Sequence, residues 1–85
     1  MNRKKRIESV LLKNFLGWMV EVRDISNLHK GHNDFDGNNE SHFSIILNTN
    51  NQNKESRLII HRKINKLLAE EFNLGLHALE IKIVD

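Results

Sequence analysis

SRLIIHRKINKLLAEEFNLGLHALEIKI, residues 56–83, changes its hydrophobic period once, next to a glycine, and that change decides the fold. Over 56–72 the apolar residues Ile60, Ile64, Leu67, Leu68 and Phe72 recur at helical offsets, while Arg62, Lys63, Lys66 and Glu70 fall off that stripe. Asn73-Leu74-Gly75 is expected to stop the helix with two residues that tolerate the left-handed conformation. From His77 to Ile83 the period drops to two. Leu79, Ile81 and Ile83 face one way and Glu80 and Lys82 the other, the pattern of a half-buried strand.

Upstream, His42 to Leu47 alternates in the same manner, with Phe43, Ile45 and Leu47 on a common face. Two strands joined through a helix pair in parallel by a right-handed crossover. Trp18 to Arg23 is a third alternating run, with Trp18, Val20 and Val22 inward. It is expected to pair antiparallel with the run at 42–47 across a His-, Gly-, Asn- and Asp-rich loop at 27–39. Residues 3–15 open the chain with a helix whose Ile7, Val10, Leu11 and Phe15 share a face, ended at Gly17. The expected order is α-β-β-α-β, with at most a short extra turn opening the second helix. The fold class is α+β: a three-stranded mixed sheet with its helices packed on one face.

The chain of 85 residues is one domain, spanning 1–85, with a single thin core. Its hydrophobic fraction of 39% and charged fraction of 28% are those of a globular protein. It has no cysteine, which removes disulfides, thiolate ligands and thiol nucleophiles together. A net charge of +2 gives only weak support for nucleic-acid binding. No apolar run approaches the roughly 20 residues of a bilayer span, and no signal-peptide core follows the basic start. An intracellular, cytoplasmic location is expected, with the mitochondrion left open.

Enzyme signatures are missing: there is no P-loop, GxGxxG, GxSxG or HExxH, and the serines show no triad spacing. A stand-alone enzyme is not expected. The five histidines are more informative. His29 and His32 lie in the first loop, His42 opens the second strand, His61 lies in the second helix and His77 opens the third strand. They read either as solvated or packed polar residues or as imidazole ligands for a metal. Position favours attention to His77. With the second and third strands parallel, both begin at one edge of the sheet, where the histidine loop also enters, so that His32 and His77 converge.

Gly31-His32, Gly37, Glu40-Ser41-His42-Phe43, His61-Arg62, Leu68-Ala69-Glu70-Glu71 and Leu76-His77-Ala78-Leu79 resemble the BolA family in order and spacing, from about Ile7 to Val84. The resemblance implies a fold similar to the class II KH domain. It also implies pairing with a monothiol glutaredoxin in a complex bridged by a [2Fe–2S] cluster, with glutathione supplying one thiolate. His77 then occupies the position of the family's histidine ligand. His32 is the best match for the ligand in the first loop, with His29 as the fallback. The free chain is expected to be monomeric. Histidine in place of cysteine raises a cluster's potential and makes ligation sensitive to pH.

The alternative implied by the same resemblance is a DNA-binding transcriptional regulator. Arg57, Arg62, Lys63 and Lys66 form its basic helix face, with Arg3, Lys4, Lys5 and Arg6 adding to it. The GxxG loop of nucleic-acid-binding KH domains is missing. A third reading keeps only protein docking, through an edge that includes Leu74 and Leu76. His42 is expected on the sheet face opposite Phe43, and His61 is expected to hydrogen-bond within the fold. The chain departs from the family in having Ile60 before His61-Arg62, which removes one cation from the helix.

Overall fold

The computed structural model describes residues 2–26 and 41–85. Helix α1 (Arg3–Asn14) leads to strand β1 (Met19–Asp24), then β2 (His42–Asn48), α2 (Arg57–Leu67), the one-turn α3 (Ala69–Asn73) and β3 (Ala78–Val84). The sheet order is β1-β2-β3, with β1 antiparallel and β3 parallel to β2. This is the mixed sheet that the two alternating runs and their helical crossover imply.

Each element starts for a local reason. The Asn2 side chain accepts a hydrogen bond from the Lys5 amide, and the Ser56 side chain accepts one from Ile59, capping α1 and α2. Gly17, at φ +84°, takes the left-handed turn after α1. Phe43, Ile45 and Leu47 of β2 are fully buried against Ile7 and Leu11 of α1 and Ile60 and Ile64 of α2. The helices therefore share one face of the sheet. Phe15 stacks on Trp18 with ring centroids 4.8 Å apart, sealing the end of α1 beside β1.

The structure corrects three local expectations. The helical run of 56–72 breaks at Leu68, so the extra turn closes the second helix instead of opening it. The break accompanies a tertiary contact, because Glu71 on α3 is buried against Arg3 and Arg6 of α1. Gly75, at φ +121°, takes the left-handed step after α3, and Asn73 does not. Leu76 is only 4% exposed and belongs to the core, so of the two residues assigned to a docking edge only Leu74, at 58%, is available.

Candidate functional site

Parallel pairing aligns His42 with Ala78, so the starts of β2 and β3 form one corner of the sheet. His77 stands one residue before β3, not within it as the alternation implies. Its amide donates to the Ser41 carbonyl at 2.8 Å, and the Ala78 amide shares that acceptor at 3.2 Å. The backbone at His77 is thereby fixed while its side chain remains exposed.

Behind it lies His42, only 6% exposed. The two imidazoles are nearly parallel, 7° apart, with centroids separated by 5.9 Å. Strand alternation puts His42 on the face opposite Phe43, as expected, but its contact with His77 was not anticipated. Ser41 Oγ lies 2.9 Å from His42 Nδ1 and fixes the orientation of the inner ring. The sequence signal reaches only their proximity, since a parallel pairing of the two runs sets their first residues side by side without giving the stacking.

Ser26 completes the corner. Its hydroxyl accepts from the amides of Ser41 and His42, at 2.9 and 3.1 Å, and donates to the Asp24 carboxylate at 2.6 Å. The same carboxylate oxygen accepts from the Ser26 amide at 2.9 Å. One buried hydroxyl thus joins the two ends of segment 27–40 beside His77. His32 and His29, the expected loop ligands, lie outside the described residues. Among the described residues, Ile25, His42, Phe43, Ala78 and Glu80 border a hollow of about 40 Å³, room for little more than water.

The other candidate residues separate. The His61 ring is half-buried and makes no hydrogen bond among the described residues, contrary to expectation. Arg57, Arg62, Lys63 and Lys66 are exposed on α2, and Lys63 is engaged by Glu55 at 3.1 Å. Arg3 and Arg6 cannot extend that basic face. Arg3 is buried, with Nε donating to Glu71 at 3.0 Å and its guanidinium also reaching the Leu74 carbonyl at 2.9 Å. Arg6 grips both Glu71 oxygens, at 2.8 and 3.0 Å. The hydrogen bonds from Arg6 hold the Glu71 carboxyl below its ordinary value against the opposing effect of burial, and Arg3 adds to the lowering. Charge pattern alone gave no sign of this clamp.

The chain has no cysteine, so the thiolates of a [2Fe–2S] cluster would have to come from outside it. No group of three or more His, Cys, Asp or Glu side chains able to hold a metal occurs among the described residues. One exposed imidazole on a fixed backbone suits a chain that adds a ligand to a centre whose thiolates come from elsewhere. Among the described residues no helix is long and apolar enough to cross a membrane.

A BolA-like protein family profile matches residues 11–84. A Sinorhizobium sp. protein, described as an uncharacterized protein in the cobS 5′ region, is 37% identical over 83 residues, covering 96% of this chain and 89% of its own length. Chloroplastic protein BOLA1 of Arabidopsis thaliana is 32% identical over 82 residues, covering 94% of this chain, which spans 51% of that protein. Among solved structures, the BolA domain of SufE1 from Arabidopsis thaliana superposes with a TM-score of 0.81 at 33% identity, with coverage of 99% of this chain and 92% of that one. BolA1 from the same plant gives 0.80 at 30% identity, with the same coverage. The α+β fold read from the sequence is the fold of these domains, and the chain belongs to the BolA-like family.

Proposed function

We propose that this chain is an adaptor that docks on a monothiol glutaredoxin and contributes histidine to a bridging [2Fe–2S] cluster, in iron–sulfur trafficking or iron and redox regulation. The observation that carries this reading is His77: an exposed imidazole on a backbone pinned to Ser41, backed by the buried ring of His42. His77 supplies one nitrogen ligand, and His32, or His29 in its place, supplies the second from the 27–40 segment. The thiolates come from glutaredoxin and glutathione, because this chain has none. A histidine-ligated [2Fe–2S] group supplies one-electron chemistry at a potential above that of an all-thiolate centre. Only neutral imidazole ligates a metal, so ligation through histidine is weakened by acid.

The test is an anaerobic titration of [2Fe–2S]-loaded monothiol glutaredoxin with this protein, followed by visible circular dichroism. A saturable one-to-one change that disappears with His77→Ala supports the assignment. The same change with His77→Ala refutes it. The DNA reading rests on Arg57, Arg62, Lys63 and Lys66, all exposed on α2, with the exposed Lys4 and Lys5 of α1, while Arg3 and Arg6 are engaged by Glu71. It predicts an affinity for duplex DNA that falls steeply with salt and weakens with Arg62→Ala.

A further inference from the structure

The corner at His77 is one end of β3, whose long side carries a second feature. The amide of Ala78 and the carbonyl of Val84 both bond toward β2. Alternation then turns the amides and carbonyls of Leu79, Ile81 and Ile83 to the opposite side, where they meet no backbone partner among the described residues. Leu79 and Ile81 are half-buried, and Glu80 and Lys82 are exposed with no ion pair among the described residues.

An open strand edge invites another strand, and proteins commonly guard it with charge. Several charges of one sign repel a second copy. Glu80 and Lys82 have opposite signs and sit two residues apart about Ile81, which makes the edge complementary to itself.

We propose that β3 is a homodimer interface, in which two copies pair their β3 strands antiparallel about a two-fold axis at Ile81 and double the three-stranded sheet. In that register Ile81 meets Ile81 of the second copy and Leu79 meets Ile83, all through the outward-facing amides that lack partners. Glu80 falls opposite Lys82 of the second copy twice over, in the close pairs that lack hydrogen bonds and bring side chains nearest. A shift of the axis to Leu79 or Ile83 keeps the amide pattern but loses both charge pairs. The opposite edge is a poorer candidate. On β1 the charges of Glu21 and Arg23 already bind each other at 3.1 Å, and an antiparallel copy centred on Val22 sets Val20 against Asp24.

The inference is independent of cluster ligation. Four residues from the axis on each side, the two copies of His77 lie about 26 Å apart along the strands, too far to share one centre. A contact made by one short strand is weak, so the dimer appears as self-association that depends on concentration. It replaces the expectation of a free monomer.

Sedimentation velocity over a concentration series tests it. Wild type is expected to self-associate, and Lys82→Glu or Glu80→Lys to weaken association about tenfold, because two symmetry-related cross-strand pairs change sign. The double variant Glu80→Lys/Lys82→Glu restores it. An equimolar mixture of the two single variants associates more tightly than either alone, since one strand then carries two acids and the other two bases. Far-UV circular dichroism checks that these exposed substitutions leave the fold intact. A wild type that stays monomeric throughout overturns the proposal. So does a dimer indifferent to the charge reversals, which places the contact elsewhere, as on the exposed Leu12 of α1 and Leu16 just beyond its end. His77→Ala is expected to leave self-association unchanged.

Discussion

Glu71 and His77 stand six residues apart, and the fold uses them in opposite ways. Glu71 is buried, and both of its oxygens are consumed by Arg3 and Arg6. His77 has a fixed backbone and a side chain left to solvent. The first holds α3 against α1. The second holds no element in place through its ring, which stays exposed. The difference teaches that a polar residue's commitment shows in which of its atoms are satisfied, not in its charge or its neighbours in sequence.

The comparison breaks most severely at the clamp. Glu71→Leu leaves the buried Arg3 without its carboxylate and is expected to cost about 3 kcal/mol in urea unfolding. That is a large share of the stability of so short a domain. Next comes Ser26→Ala, which strips the acceptor from the amides of Ser41 and His42 at once. It is expected to cost about 2 kcal/mol, and to raise hydrogen exchange at those two amides above that of the rest of the sheet. A Ser26→Ala variant as stable as wild type refutes the role given to that hydroxyl.

Acid sharpens the contrast. The folded Glu71 carboxyl titrates below its unfolded value, so its contribution is complete above the unfolded carboxylate range near ~4.3 and disappears as pH falls through the lower, folded value. Glu71→Gln is expected to flatten the acid side of the stability profile relative to wild type, measured by urea midpoints between pH 2 and 6. The smallest stability effect belongs to the corner. His77→Ala is expected to shift stability by less than about 0.5 kcal/mol, because an exposed ring is removed and the amide bond to Ser41 remains. A thermal melt that drops as far for His77→Ala as for Glu71→Leu removes the distinction altogether.

Much of this architecture is legible in the sequence. Phe43, Ile45 and Leu47 alternate and are all fully buried, and Gly17 ends its helix as its position suggests. The break at Leu68 was not legible, because Leu68-Ala69-Glu70-Glu71-Phe72 continues both helix propensity and the apolar stripe. The contact that accompanies it joins residues 68 apart, a distance at which charge pattern carries no information. His77 was legible because a residue just before a parallel strand must lie at the sheet edge. The stacking of His42 on it was not, because it depends on His77 standing outside the strand's alternation. Family likeness supplied the chemistry assigned to His77; periodicity supplied only its place.

The Ser26 hydroxyl also makes the stretch between it and Ser41 an exchangeable cassette. Strand register is set on either side, at Asp24 opposite Phe43 and by the amides that Ser26 holds, so residues added between these points need not slide β1 along β2. Doubling the length of such a stretch costs only about 0.6 kcal/mol in closure entropy. The length and composition of that stretch can therefore change while the frame that carries His77 stays put.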